Sequence, residues 1–447
     1  MKLWEKKGHD SLNDLVEKFN VGKDYIYDSK LAVYDVKGTI AHVKMLNKIG
    51  ILNDEEAIKV LSELEFLNKK FEKEPPTLKI EDEDIHTYIE NYLVSRLGDL
   101  GKKIHTGRSR NDQVLTALRL YEKDKLSKII ESIDNLLKEL ISLSKKLKEN
   151  KVPLIGYTHS RQAMPMTASF WVESLIEAIE DSRNIIRNSY NTIDKNPLGS
   201  AAGYGFPLNL DRDYTRELLG FNGILVNSLY AQNTRGKYES LIVDSLSYLI
   251  GDIVRFVNDI IFLSSSEVGF LKLSSSVTTG SSIMPHKKNP DVFEIIRAKS
   301  KTFFTYSLEL KNITFSLTSG YSRDLQETKY LVMDAIEEAH EIIDVFKVSI
   351  SGIEFAPDRV LKVMDKSIFS VDVAIEIMKK YNLSFRDAYR VVGEIIIELT
   401  NTSIDELLKK YESMPLEREV VEWFSKDAKE LFHYFISKRT QEGYPRF

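Results

Sequence analysis

The sequence predicts an all-α protein with an elongated bundle of long helices at its centre. Three observations carry this. Prolines, which break helix interiors, are absent between Pro76 and Pro153, between Pro207 and Pro285, and between Pro290 and Pro357. Apolar residues inside those gaps recur largely at spacings of three and four. Strand-like alternation is scarce.

In chain order, the first hundred residues read as several shorter helices, interrupted at 72–79 by EKEPPTLK. Gln113–Asn150 is the clearest long helix, with Leu115, Leu118, Leu126, Ile129, Ile130, Ile133, Leu136, Leu137, Leu140 and Ile141 recurring largely at those spacings. It would run roughly 50–60 Å. Ser169–Asn188 carries a further helical pattern. Lys237 to about Ser265 carries another, with Leu241, Ile242, Leu246, Leu249, Ile253 and Val257, and a third long helix starts at Pro290 and passes Lys301. Helices this long and apolar need one another, because alone they would expose too much. Beyond Pro357 comes a small C-terminal helical unit. The expected organisation is an N-terminal helical domain over 1–108, a central long-helix bundle over 109–355 and a C-terminal helical domain over 356–447.

Composition removes several function classes. Lys and Arg total 62 against 67 Asp and Glu, a net charge of −5, which argues against nucleic acid as the main partner. The absence of cysteine excludes disulfides, thiolate metal sites and cysteine nucleophiles. The start, MKLWEKKGHD, lacks the apolar core of a signal peptide. No run reaches the roughly 18 apolar residues of a membrane span. The expectation is a cytoplasmic protein with no membrane partner.

Chemistry concentrates in a few stretches. In GSSIMPHKKNP, residues 280–290, flanking glycine and proline make Gly280–Pro285 a loop. Asn289 reads as a helix N-cap and Pro290 as the first helical residue. On these residues alone the stretch is either a polar surface loop, or a serine whose ionised form is held by lysine and backbone N–H groups and acts as a general base. Arg110 and Asn111 follow HTGRS at the start of the long helix. Either Asn111 or Asp112 caps that helix among solvated arginines, or the two side chains and the free backbone N–H groups make a carboxylate site. His159, in Gly156-Tyr157-Thr158-His159, is either structural or a proton carrier. Tyr321–Lys329 is either a solvated turn entering a helix or a binding segment. Asn196–Gly203 is glycine-rich but is no GxGxxG and predicts no nucleotide site.

GSSIMPHKKNP closely resembles the signature of the fumarase/aspartase superfamily, whose enzymes eliminate a group from a succinyl moiety and release fumarate. DIHT at 84–87 with HTGRSRNDQV at 105–114 is similar to the argininosuccinate lyase family within it. GYTH at 156–159, NPLGSAAG at 196–203 and YSRDLQETK at 321–329 extend the likeness, as do SVDVAIEI and SFRDAY past Pro357, so that it covers most of the chain. The resemblance implies argininosuccinate cleavage to arginine and fumarate by β-elimination, in arginine biosynthesis, with a small-molecule substrate, no cofactor and no metal. It implies that Ser281 removes the carbon-bound proton and that Lys287 and Asn289 stabilise the carbanion. His159, steadied by Glu294, would handle the proton on the leaving nitrogen. Thr158, Arg110 and Asn111 would hold carboxylates, and Tyr321, Gln326 and Lys329 the rest of the substrate. It also implies a homotetramer with a shared helical core and active sites built from three subunits.

The sequence departs from the family pattern in places. Arg323 replaces a usual lysine, and a guanidinium does not relay protons near neutral pH. His286 replaces a usual glutamine, as in adenylosuccinate lyases. Asp24 stands about where a substrate-binding serine is expected, so that contact is not carried over. The alternatives are adenylosuccinate lyase or another superfamily member and, in a different class, an inactive structural homologue serving as a scaffold.

Overall fold

A computed structural model of the chain describes residues 13–446. The all-α expectation holds: the described residues form eighteen α-helices, with β-structure confined to two-stranded pairs. The long helices run over Arg110–Glu149, Ala168–Ile193, Lys237–Leu263, Asp291–Phe315 and Thr328–Ile350. The first, at 40 residues, is about 60 Å long. The starts and ends expected for the first three, and the start expected for the fourth, are met to within a few residues, while Thr328–Ile350 was not singled out in the sequence.

The chain divides into two compact units. The first takes residues up to Ile133, Ser182–Ile250 and Lys299–Ile342; the second takes Asp134–Asp181, Gly251–Ala298 and the chain from Ile343 onward. Each boundary falls inside one of the long helices. The domain limits expected at 108/109 and 355/356 lie instead in the segments just before Arg110 and just after the short strand Ile353–Phe355.

In the first unit, Asp24–Lys48 packs against Asp54–Lys73 and Ile85–Leu97. Their core joins Val36, Val43 and Leu46 to Val60, Leu64, Phe71, Ile85, Ile89 and Leu93. Asn53 starts the second of these helices with a reciprocal cap: its Oδ1 accepts from the Glu56 N–H at 2.9 Å, and Glu56 accepts from the Asn53 N–H at 3.1 Å. It ends at Lys73, just before the Pro75–Pro76 pair, as the sequence indicates.

In the second unit, Trp171 stacks on Phe256 at 3.9 Å and meets Phe355 edge-on, while its indole N–H donates to Asp259 at 3.0 Å. This unit also holds the largest β-element, an antiparallel hairpin of Pro153–Thr158 and Arg161–Thr167. It places GYTH on a strand and its turn, which helical periodicity could not reveal. Gln162 ties the second strand to the segment before the C-terminal helices, donating to the Val363 carbonyl and accepting from the Asp365 N–H, both at 2.9 Å.

Two capping expectations are corrected. The helix after GSSIMPHKKNP begins at Asp291, and the Pro290 carbonyl accepts from the Glu294 N–H at 3.2 Å, so Asn289 is not the N-cap. Asn289 pairs instead with Thr279 in a short antiparallel ladder with Gly280 and Lys288. Likewise Ser109, not Asn111 or Asp112, caps the long helix. Its carbonyl accepts from Gln113 and its hydroxyl from Asn111, while Asp112 returns a bond to the Ser109 N–H at 2.9 Å.

Candidate active site

The residues singled out in the sequence fall into three clusters. The first lines a cavity of about 140 Å³ in the first unit, where Arg110, Asn111, Tyr321, Gln326 and Lys329 come together from two segments some two hundred residues apart. Arg110 and Asn111 are placed by the helix start. Asp112, fully buried one position on, accepts from the Ser109, Gly199 and Ala201 N–H groups at 2.9–3.0 Å. This is the structural use of the glycine-rich loop: Gly199 and Ala201 adopt left-handed backbone (φ 84° and 48°) and aim two amides at one carboxylate. Burial pushes that carboxyl up even so, against the lowering effects of its amide donors and Arg108.

Carboxylates that the motif reading did not assign surround the cations of this cavity. Arg110 reaches Glu83 at 3.0 Å, Asp84 at 3.5 Å and the Thr87 hydroxyl at 2.8 Å. Lys329, almost fully buried, is held by Asp24 at 2.8 Å and Asp28 at 2.5 Å. Burial opposes its charge, but the two carboxylates outweigh that and raise its pKa. Asp28 also accepts from the Ile85 N–H at 3.1 Å. Asp24, the departure from the family pattern, thus works as an ion-pair partner. Its own carboxyl is pushed up by burial first, with Lys329 pulling the other way. Gln326 donates to the Asn20 and Val21 carbonyls at 3.0 and 3.3 Å, and Arg323 donates to Asn20 at 2.8 Å, so both bind the C-terminal end of the helix Asp14–Val21. His86 of the DIHT motif also lines the cavity and pairs with Asp35 at 2.5 Å, both buried. Burial works against the His86 charge, but Asp35, joined by Asp84 and Asp28, raises its pKa overall.

The second cluster is the hairpin turn in the second unit. Thr158 and Arg161 pair across it, leaving His159 and Ser160 as its two central residues, at φ 50° and 58°. Both positive angles are what a tight hairpin turn demands, yet neither residue is the Gly, Asn or Asp that accommodates them best. His159 is exposed there and makes no hydrogen bond or ion pair among the described residues. A strained, exposed histidine at a rigid turn is presented outward rather than packed.

The third cluster, also in the second unit, is the loop between Gly280 and Lys288. The half-buried Ser281 Oγ accepts from the Met284 N–H at 3.1 Å and from the Ile283 N–H at 3.3 Å. Donors aimed at that oxygen favour its ionised form. Lys287 and Lys288 are exposed, and Thr279 holds the strand pair to the helix through Asp291. Glu294 lies in the helix's first turn, 3.8 Å from Arg297, and makes no hydrogen bond with His159.

A family model described as a lyase matches residues 9–304. The argininosuccinate lyase of Thermotoga neapolitana is 42% identical over 88% of this chain and 98% of its own. Those of Bacteroides fragilis and Sorangium cellulosum are 39% and 37% identical over 88% and 89% of this chain, and 87% and 91% of theirs. Among solved structures, an EDDS lyase variant with bound fumarate superposes with a TM-score of 0.78 at 21% identity, covering 95% of this chain and 86% of that one. A class II fumarase from Schistosoma mansoni gives 0.70 at 16% identity, covering 90% and 94%. These structures bear on the fold alone.

Proposed function

Because the chain belongs to the argininosuccinate lyase family, we propose that ionised Ser281 is the base that starts its reaction, the β-elimination of argininosuccinate to arginine and fumarate. Ser281 Oγ takes a proton from the succinyl carbon next to a carboxylate, and the electron pair spreads into that carboxylate. Lys287 and Asn289 stabilise the charge. The C–N bond then breaks, the double bond of fumarate forms, and the departing guanidino nitrogen is protonated through His159. Thr158, Arg110 and Asn111 orient carboxylates; Tyr321, Gln326 and Lys329 receive the arginine portion.

The observation that supports the base assignment is the pair of backbone N–H groups on the Ser281 oxygen. Ionising a serine near neutral pH costs roughly 1.4 kcal/mol per pK unit. Two amides and an exposed lysine are too little, so the loop must also shed water when substrate binds.

His159 and Glu294 meet, in this proposal, only between copies of the chain in a homotetramer whose active sites draw on three subunits. An apolar face supports such assembly: Phe304, Leu308 and Phe315 lie within about 40° of arc on one helix and are 61–69% exposed. No helix among the described residues is long and apolar enough to cross a membrane, and we place the enzyme in the cytoplasm, in arginine biosynthesis.

Fumarate release, followed by absorbance, tests both levels. Argininosuccinate should be turned over and adenylosuccinate should not; the relatives do not favour the adenylosuccinate alternative. Ser281→Ala should nearly abolish turnover while leaving the fold intact. More than about a tenth of the wild-type rate would remove Ser281 from the base role.

A further inference from the structure

The cations of the first-unit cavity differ in one respect. Arg110 is met by Glu83 and Asp84, Lys329 by Asp24 and Asp28, and Arg323 by the Asn20 carbonyl. Arg235 lines the same cavity and is only 4% exposed, yet its guanidinium makes no hydrogen bond or ion pair among the described residues. Its Nε is fully buried and unpartnered. Its side-chain contact is the Tyr321 ring, 5.6 Å from the guanidinium carbon to the ring centroid. A buried guanidinium without an acceptor is costly, and a planar fork of donors stacked on an aromatic ring is the usual way to present one to a carboxylate.

The backbone holds Arg235 in place. It sits between the helices Ser228–Asn233 and Lys237–Leu263, with its N–H donating to the Gln232 carbonyl at 3.1 Å. Gly236 follows at φ 81°, where an added Cβ would collide with Thr314, and its N–H binds buried Glu239. The same cavity is lined by an anion with capacity to spare. Asp24 Oδ1 takes Lys329, while Oδ2 accepts from none of the described residues. The Arg235 charge acts on Asp24 directly, as the last of several influences behind burial.

We infer that Arg235 is the specificity-determining anchor for the α-carboxylate of the substrate's arginine portion, with Asp24 receiving the α-ammonium group beside it. An unpaired guanidinium and a half-paired carboxylate lining one small cavity complement a zwitterionic amino-acid head. A volume of about 140 Å³ suits such a head rather than a whole substrate. The inference rests on the argininosuccinate lyase reading and adds a residue that no quoted motif contains.

The reaction run in reverse, from fumarate and arginine, separates the possibilities. Agmatine, which is arginine without its carboxylate, is the probe. The wild-type enzyme should prefer arginine to agmatine in kcat/KM by on the order of 100-fold. Arg235→Gln should raise KM for arginine by a similar factor, leave KM for fumarate within about threefold, and collapse the arginine-over-agmatine preference toward one. Arg235→Lys should restore part of the preference. A variant with a raised fumarate KM and an intact preference would assign Arg235 to a succinyl carboxylate and overturn the inference. So would a melting-temperature loss with unchanged KM values, which would make Arg235 structural. The wild-type comparison needs no variant to fold: indifference between arginine and agmatine also overturns it. Failure of the wild type to cleave argininosuccinate would instead strike the reading beneath it.

Discussion

Replacing Asp112 with alanine is expected to be among the most damaging single changes outside the apolar core. Three backbone N–H groups, those of Ser109, Gly199 and Ala201, would lose their acceptor at once. A hydrogen bond to a charged group is worth roughly 1.5–3 kcal/mol, so the gross loss is on the order of 5–9 kcal/mol. Burial of the carboxylate, visible in its raised pKa, offsets part of that. About 3–4 kcal/mol of net destabilisation remains. Asp112→Asn separates the contributions. Its oxygen can still serve Gly199 and Ala201, but its amide then faces the Ser109 N–H, and one cap bond worth about 1 kcal/mol is lost. Urea unfolding at neutral pH and fixed protein concentration measures both, concentration mattering for an assembling protein. Asp112→Ala within 1 kcal/mol of wild type, or Asp112→Asn as damaging as Asp112→Ala, would refute the view that this carboxylate ties the 196–203 loop to the start of the long helix.

Three further outcomes are expected. Lys329→Met leaves Asp24 and Asp28 facing each other in a buried site and should cost about 3–5 kcal/mol, part of it recovered by adding Asp28→Asn; chemical denaturation of the single and double variants checks this. Ser160→Gly relieves a left-handed serine and should raise stability by about 0.5–1 kcal/mol, read by thermal melting; a drop would mean the turn is not strained. The third concerns pH. Folded His86 holds its proton more tightly than the unfolded chain: burial opposes the charge, but Asp35, together with Asp84 and Asp28, more than offsets it. Its stabilisation is therefore complete below about pH 6.5 and disappears as pH rises through the higher folded pKa. His42 is the reverse: burial first, then the Arg108 charge, hold it neutral, so stability falls as pH drops below about 6.5. Each histidine bends the profile by at most about 1.4 kcal/mol per pH unit. His86→Gln should flatten the alkaline limb and His42→Gln the acid limb, in melting curves recorded from pH 5 to 9.

Much of the candidate site was legible because its signals are local. Ser281, Lys287 and Asn289 stand close together in one loop, and Arg110 and Asn111 open one helix, so glycine, proline and charge mark those stretches, while the roles proposed for the residues come from the family resemblance. Cap positions were misplaced by one to three residues at both helix starts. There the choice between Asn289 and Pro290, or between Ser109 and Asp112, depends on which backbone groups are already bonded elsewhere. The hairpin that carries His159 was missed because its strands alternate poorly and its turn is His-Ser, not a glycine pair. Arg235 had no signal at all, since an arginine before Gly-Lys is ordinary until its surroundings are known.

By itself the amino-acid order determined the helices, since proline placement and apolar spacing act between neighbours along the chain. It determined the family too, through short motifs at fixed offsets. Only the tertiary structure decided which cations are already satisfied: Lys329 by Asp24 and Asp28, Arg110 by Glu83, and Arg235 by no described residue. Pairing of charges depends on distance in space and on exclusion of water, and both arise only when segments hundreds of residues apart close around one cavity.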